Sequence, residues 1–182
     1  MLFTLLSIAQ EFNKENITWA LGGSSVLKKY DLVDTVNDID ILVMQKDIEK
    51  ANQILLSLGT SLPVPKNSQY LTTFFYSYKI REIKVDLMCD FKIKRGEQIY
   101  SYQFDESSIC DTEDIAKEKI YYTTLEDWYV LYLLMGRGDE QKIKNLEKHF
   151  ELHGIKHPIL LRRAMEDLPS DLKFKIKFQL KP

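Results

Sequence analysis

The sequence ITWALGGSSVLKKYDLVDTVNDIDILVM, residues 17–44, contains the features that decide the fold. An apolar run ends at the Gly-Gly-Ser-Ser stretch of residues 22–25, and a helix-like segment follows at residues 26–30. After a polar connection, a second apolar and β-branched run begins with Asp38 and Asp40. This order predicts a strand, a glycine turn and a helix, followed by a second strand with two carboxylates at its start.

The two carboxylates are predicted to lie side by side. Successive side chains of a strand point to opposite faces, so Asp38 and Asp40 share one face. Neighbouring like charges repel each other, and their burial is costly unless a proton or a cation offsets it. Mg²⁺ suits such a pair, because it takes oxygen ligands from one or two carboxylates and completes its shell with water and substrate phosphates.

The glycine turn is suited to hold a phosphate beside that cation. Gly22 and Gly23 allow a close approach of the backbone, and Ser24 and Ser25 offer hydroxyl groups. The helix that follows presents free N–H groups and the positive end of its dipole to an anion. These four residues are therefore the candidate nucleotide-binding residues.

Gly23-Ser24, thirteen intervening residues and Asp38-Ile39-Asp40 resemble the signature of the DNA polymerase β-like nucleotidyltransferase superfamily. That family places a third carboxylate on a later strand, between apolar residues, and Val85-Asp86-Leu87 matches this pattern. The resemblance implies an α/β (α+β) fold, with a mixed β-sheet flanked by helices and a short C-terminal helical region. It also implies that Asp38, Asp40 and Asp86 bind two Mg²⁺ ions and carry out catalysis.

The activity implied is transfer of a nucleoside monophosphate from a nucleoside triphosphate, such as ATP, to a hydroxyl acceptor, with release of pyrophosphate. The acceptor is left open among a small molecule, a protein and RNA. A different class of function is also open, in which the chain is a noncatalytic nucleotide-binding or protein-interaction component, similar to one partner of a toxin–antitoxin pair.

Composition sets the limits of this interpretation. A length of 182 residues predicts one compact unit. The resemblance implies a nucleotidyltransferase core over residues 1–122 and a helical region with a tail strand over residues 123–182, packed together as that unit. The formal net charge of -2 argues against a chain-wide basic field for nucleic acid. Without a basic leader or a long apolar run, we expect a cytoplasmic protein with no membrane segment. The two cysteines, Cys89 and Cys110, are expected to be free thiols.

Hydrophobic periodicity predicts the remaining elements. In the strand that contains Asp86, alternation places Asp86 and Lys84 on one polar face, from which Asp86 could reach the first two carboxylates. Thr124 is predicted to cap a helix that ends at Gly136. Helices are further predicted at residues 2–12, 46–58, 139–150 and 158–168, and strands at 70–78, 80–89, 99–102 and 120–122.

The segment TTLEDWYVLYLLMGRGDEQKI, residues 123–143, resembles a helical segment of small nucleotidyltransferases that include abortive-infection and type IV toxin-like proteins. The chain keeps five residues of that pattern: Glu126, Asp127, Gly136, Arg137 and Asp139. It departs at Gly138, where the pattern has lysine, and at Lys142, where an acidic residue is common. Of these residues, Arg137 could supply a positive charge.

The C-terminal tail alternates strictly between apolar and polar residues from Leu172 to Leu180, and all the polar ones except Gln179 are lysines. This pattern predicts an amphipathic strand. An exposed strand of this kind would pair with the sheet, or with another chain through self-association or a protein partner. A basic tail for nucleic acid is the competing interpretation.

Overall fold

The computed structural model describes residues 1–64, 67–136 and 140–179. The helices in these ranges are α1 (Leu2–Lys14), α2 (Gly23–Lys29), α3 (Ile48–Leu58), α4 (Leu125–Met135), α5 (Glu140–His153), α6 (Pro158–Met165) and α7 (Ser170–Gln179). The strands are β1 (Trp19–Leu21), β2 (Asp38–Val43), β3 (Thr60–Leu62), β4 (Phe74–Ile80), β5 (Ile83–Cys89), β6 (Lys92–Arg95), β7 (Gln98–Ser101), β8 (Asp111–Ile115) and β9 (Glu118–Tyr122).

Seven of the strands form one mixed sheet in the order β3-β4-β5-β2-β1-β9-β8. The pairs β2–β5 and β1–β9 are parallel, and the other neighbours are antiparallel. Strands β6 and β7 form a separate antiparallel hairpin. The predicted mixed sheet flanked by helices is therefore confirmed. No helix in the described ranges has both the length and the apolar character needed to cross a bilayer.

The register of four neighbouring strands aligns one row of residues across the sheet. Asp40 is opposite Asp86, Asp86 is opposite Ser77, and Ser77 is opposite Leu62. Directly opposite residues of paired strands lie on the same face, so these four side chains line one surface. The alternate residues of β2, Ile39 and Ile41, are buried on the other face.

Helix α4 connects the sheet to the C-terminal helices, contacting α2, β6, α5 and α6. All of its residues from Leu125 to Leu134 are buried, which explains why its apolar residues show no single face. The hydroxyl of Thr124 accepts a hydrogen bond of 3.1 Å from the N–H of Asp127. The helix ends at Gly136, whose φ is 74°. Both predicted ends of this helix are confirmed.

Several shorter strands were not predicted. Strand β8 has the sequence DTEDI, and its polar composition gives no apolar alternation to detect. Strands β3 and β6 contain only three and four residues. The two cysteines are free thiols, as predicted, with Cys89 buried and Cys110 exposed.

The C-terminal tail forms helix α7, so the predicted tail strand is wrong. Leu172 and Ile176 are buried, whereas Phe174 is 72% exposed. Residues four apart share a face of a helix, and an alternating pattern also places apolar residues four apart. The lysines between them are good helix formers. Self-association through a tail strand thus loses its structural basis, and residues 180–182 lie outside the described ranges.

Two alanine variants distinguish this helix from a strand. Ile176→Ala is expected to lower the free energy of unfolding by about 2–4 kcal/mol, because a buried side chain is removed. Phe174→Ala is expected to change it by less than about 0.5 kcal/mol, because that ring is exposed. Urea unfolding followed by circular dichroism measures both values. Equal losses would contradict the helix, because a strand would place the two side chains on one face.

Candidate active site

Three carboxylates meet where β2 and β5 run side by side. Asp38 and Asp40 project from β2, Asp86 projects from β5, and one carboxylate oxygen from each lies within 4.8 Å of the others. Asp38 and Asp40 are partly exposed, whereas Asp86 is only 5% exposed. The structure therefore brings together the three residues that the sequence singled out, because Asp40 and Asp86 are directly paired across the two strands.

Lys84 supplies a positive charge to this cluster. Its Nζ lies 2.5 Å from Oδ2 of Asp86 and 3.5 Å from Oδ2 of Asp38. Burial lowers the pKa of Lys84, but the hydrogen bond to Asp86 and the charges of Asp86, Asp38 and Asp40 together raise it above its usual value. Lys84 is thus a protonated counter-ion of the carboxylates.

Asp86 is held in a fixed orientation by two partners. The hydroxyl of Ser77 donates a hydrogen bond of 2.6 Å to Oδ1 of Asp86, while Lys84 contacts Oδ2. Ser77 is itself buried and directly opposite Asp86 in the neighbouring strand. A buried carboxylate with both oxygens bonded has a defined geometry, as an acid–base or metal-ligating group requires.

Asp40 carries an electrostatic penalty at this site. Burial, followed by the charges of Asp38 and Asp86, raises the pKa of Asp40 to about 7. Lys84 and Lys142 act in the opposite direction and do not cancel this effect. An oxygen-only ligand set with excess negative charge fits a hard divalent cation, which would favour the ionised form of Asp40.

The glycine turn lies directly against Asp40. The N–H of Gly22 donates a hydrogen bond of 2.9 Å to the carbonyl oxygen of Asp40. A Cβ atom on Gly23 would lie 1.9 Å from Oδ2 of Asp40, and the φ of Gly23 is +56°. A Cβ atom on Gly22 would lie 2.3 Å from the ring of Trp128. Only glycine therefore allows the turn to approach the carboxylates this closely.

A cleft of about 1260 Å³ opens over the carboxylates. This volume is larger than the roughly 300–1,000 Å³ of a typical small-molecule pocket, so the cleft has room for more than one ligand. Gly23 and Ser24 line it together with the three carboxylates. Gly22 packs against Trp128, and neither Gly22 nor Ser25 is among the described residues that line the cleft.

Sequence reasoning missed the wall that the helices contribute. Trp128 and Tyr132 of α4 and Lys142 of α5 line the cleft. Nζ of Lys142 lies 4.7 Å from the ring centre of Tyr132. The two aromatic residues are four apart on a wholly buried helix, a spacing that is typical of core residues and gave no functional signal.

The acidic residues of the second resemblance hold the helices in place. Oε1 of Glu126 accepts hydrogen bonds of 2.9 Å from the backbone N–H groups of Lys156 and His157, just before α6. Oδ2 of Asp127 accepts a hydrogen bond of 2.8 Å from the hydroxyl of Tyr102. Both carboxylates are buried and lie outside the cleft lining of the described chain. Arg137, Gly138 and Asp139, also part of that pattern, lie outside the described residues.

Comparison with known proteins identifies the fold. No model of a protein family and no curated protein matches the sequence. Among solved structures, a nucleotidyltransferase candidate from Thermotoga maritima matches with a TM-score of 0.62 and 21% identity, over 84% of this chain and 93% of its own. The antibiotic-resistance factor ANT(2'')-Ia in solution matches with a TM-score of 0.60 and 13% identity, over 97% of this chain and 96% of its own.

A crystal structure of ANT(2'')-Ia in complex with adenylyl-2''-tobramycin matches with a TM-score of 0.55 and 12% identity, over 90% of this chain and 94% of its own. These likenesses extend over nearly the full length of the matched chains. At such low identity they show a shared fold. The expected nucleotidyltransferase fold is therefore confirmed.

The contact between the turn and Asp40 predicts the effect of adding one methyl group. Gly23→Ala is expected to lower the free energy of unfolding well beyond the roughly 1–2 kcal/mol cost of a positive φ alone, because the Cβ would also displace Asp40. Gly96→Ala is the matched control, since Gly96 has a φ of +60° and no atom within 4 Å of an added Cβ. Urea unfolding of both variants measures the difference. Equal costs would show that the turn tolerates a Cβ beside Asp40.

The raised pKa of Asp40 predicts a pH-dependent stability in the absence of metal. The folded pKa of about 7 lies above the usual 3.8, so folding favours the protonated form, and stability is lost as pH rises from about 4 to 7. Asn cannot ionise, so Asp40→Asn should lose about 1–3 kcal/mol less stability than the parent over this pH range. The difference is smaller than for a fully buried carboxyl, because the carboxyl of Asp40 opens onto the cleft. Urea unfolding in a chelator at several pH values tests this. Parallel pH profiles would contradict it.

Proposed function

We propose that the protein is a metal-dependent nucleotidyltransferase that moves a nucleoside monophosphate from a nucleoside triphosphate to a hydroxyl acceptor and releases pyrophosphate. The observation that carries this proposal is the cluster of Asp38, Asp40 and Asp86 within 4.8 Å, beside a glycine turn and at the base of a cleft. The fold shared with ANT(2'')-Ia, which has been crystallised with adenylyl-2''-tobramycin, supports the same chemistry.

Asp38, Asp40 and Asp86 would hold the metal, expected to be two Mg²⁺ ions. Their oxygen donors match the preference of Mg²⁺, and the raised pKa of Asp40 reflects an excess of negative charge that a divalent cation would offset. When bound, paired divalent cations stabilise both the attacking and the leaving oxygen of an in-line displacement. Lys84 would then have to share or give up its contacts with the carboxylates.

The turn is proposed to bind the triphosphate. The backbone of Gly23 and the hydroxyl of Ser24 line the cleft next to Asp40, where no side chain of residue 23 blocks the approach of a β- or γ-phosphate. Gly22 would contribute indirectly, because its lack of a side chain lets the turn pack against the ring of Trp128. Lys142, which also lines the cleft, adds a positive charge.

In the proposed reaction, an acceptor hydroxyl oxygen forms a bond to the α-phosphorus while the bond from that phosphorus to the bridging oxygen breaks. Pyrophosphate carries away the electron pair of the broken bond. Asp86 takes the proton of the hydroxyl, and its partners Ser77 and Lys84 fix the direction in which its oxygens point. Asp86 is thus assigned to the acceptor, and the turn with Asp38 and Asp40 to the nucleotide.

Two asparagine variants test this division. The double variant Asp38→Asn/Asp40→Asn is expected to lose Mg²⁺-dependent ATP binding, because neutral amides cannot balance the charge of the cation. Asp86→Asn is expected to lower turnover by at least about 100-fold with little change in ATP affinity, since its interaction is made chiefly in the transition state. Calorimetry measures binding, and pyrophosphate release measures turnover.

Asp114→Asn is the matched control. Asp114 is exposed on β8, at the edge of the sheet away from β5, so the same chemical change there should leave binding and turnover unaltered. Retained ATP binding by the double variant would show that the pair does not hold metal. Metal-dependent ATP binding without pyrophosphate release, across common triphosphates and hydroxyl acceptors, would instead favour the noncatalytic nucleotide-binding alternative.

A further inference from the structure

We infer that the acceptor is a small, uncharged molecule that carries an aromatic or aliphatic portion next to its reactive hydroxyl. This inference rests on the proposed function and names its second substrate by chemical class. The feature that carries it is the part of the cleft beyond Asp86, whose described lining combines large apolar side chains with neutral polar ones and has no charged residue of its own.

The sheet register places this part of the cleft on the acceptor side of the carboxylates. Strand order runs from β2 through β5 and β4 to β3, so the face continues from Asp86 to Ser77 and then to Leu62. In the next row, Met88 is opposite Phe75. The glycine turn follows β1, on the other side of β2. With the triphosphate on the turn, a hydroxyl that reaches Asp86 from the open side comes from over β4 and β5.

Large apolar side chains dominate that side. We call Tyr70, Phe75, Met88, Phe91 and Met135 the acceptor wall, since all five line the cleft. The rings of Tyr70 and Phe91 are stacked, with centres 6.2 Å apart and planes 14° from parallel. Such a surface gains free energy by burying the ring or alkyl chain of a ligand.

The polar residues among the described lining of the acceptor side are neutral. Asn67, Ser68, Thr72, Thr73 and Ser77 line the same side and offer hydroxyl and amide groups. They can donate hydrogen bonds to ligand hydroxyls and accept hydrogen bonds from them. A few convergent neutral polar groups in an apolar site are suited to orient a hydroxylated molecule.

Among the described residues that line this cleft, positively charged acceptors find no carboxylate partner beyond the metal-binding cluster. Among its described lining residues, the carboxylates are the three that would hold metal. A nearby carboxylate, Asp90, is neutralised by Lys92 at 2.5 Å and also accepts a hydrogen bond from Thr73. Ammonium groups buried without a carboxylate are costly, and an aromatic face returns only about 0.5–2 kcal/mol. A polycation is therefore disfavoured.

A nucleic acid acceptor is disfavoured because its phosphates would need cationic partners. Strands of nucleic acid bind along basic grooves, where cationic side chains neutralise successive phosphates. The cations among the described lining residues are Lys84 and Lys142, and both act on the metal-binding carboxylates. The chain as a whole has a net charge of -2. The described lining of the acceptor side thus contains no cation of its own; the basic residues of β6, Lys92, Lys94 and Arg95, lie outside that lining.

Ligand-observed NMR titration of the full chain, with Mg²⁺ and a nonhydrolysable ATP analogue bound, tests the inference. The ligands are 4-nitrophenyl β-glucoside, methyl β-glucoside, tobramycin and a short single-stranded oligoribonucleotide. The aryl glucoside should bind at least about tenfold more tightly than the methyl glucoside, whose hydroxyls are matched but whose apolar group is small. It should also bind more tightly than the polycation and the oligonucleotide.

Variants assign this binding to the acceptor wall. Phe75→Ala should weaken binding of the aryl glucoside by about tenfold and leave binding of the ATP analogue unchanged. Phe75→Leu should retain most of the affinity, and Tyr70→Ala, at a 37% exposed position, provides a second test if Phe75→Ala fails to fold. Phe174→Ala is the control, because Phe174 is exposed on α7 and outside the described cleft lining.

The results separate this inference from the proposed function. Tighter binding of tobramycin or of the oligonucleotide, or equal binding of the two glucosides, would overturn the inference while the ATP analogue still bound. Binding of the aryl glucoside that Phe75→Ala and Tyr70→Ala both leave intact would also overturn it. Failure of the ATP analogue to bind with Mg²⁺ would instead overturn the proposed function, together with the role of the wall as an acceptor site.

Discussion

Repulsion among three carboxylates is the constraint on which the rest of the site depends. Asp38, Asp40 and Asp86 lie within 4.8 Å of one another, and the raised pKa of Asp40 expresses the cost of keeping them there. Paired strands hold them together, because the β2–β5 register fixes Asp40 opposite Asp86. Lys84 offsets part of the charge. A site that still has net negative charge after this compensation is suited to a divalent cation.

The turn beside the carboxylates is held from the opposite side by α4. The indole N–H of Trp128 donates a hydrogen bond of 2.8 Å to the hydroxyl of Thr123, which donates one of 3.0 Å to the carbonyl oxygen of Leu21. The Trp128 ring also fills the space that a Cβ on Gly22 would need. The first helix after the sheet thus fixes the end of β1, and through it the position of Gly23 against Asp40.

The sequence made the carboxylates predictable because local rules govern them. Alternation along β2 and β5 placed Asp38 and Asp40 on one face and Asp86 on the same face as Lys84, and the parallel register then joined the two strands. The prediction for the tail was wrong because an alternating pattern also places apolar residues four apart, as in a helix that buries Leu172 and Ile176. Local rules do not distinguish these alternatives; the burial of Leu172 and Ile176 in the folded chain decides between them.

Local patterns also could not predict the acceptor wall or the cleft residues of α4, because tertiary packing determines which of their side chains face the cleft. Trp128 and Tyr132 lie on a helix buried all round, where no polar face separates cleft residues from core residues. Phe75 and Met88 appear as ordinary strand residues until the register sets them opposite each other. Glu126 and Asp127, which matched a family pattern, hold backbone N–H groups and a tyrosine hydroxyl. These roles depend on tertiary packing, which cannot be read from patterns in a single sequence.

Diffraction from crystals grown with Mn²⁺ and a nonhydrolysable triphosphate tests the central role of the carboxylates most directly. Anomalous scattering should locate Mn²⁺ in contact with Asp38, Asp40 and Asp86, with the ammonium of Lys84 displaced from Asp86 and the phosphates on Gly23 and Ser24. Anomalous peaks elsewhere, with Lys84 still bound to Asp86 and the triphosphate remote from the turn, would show that the cluster is a structural ion-pair network and not a metal site.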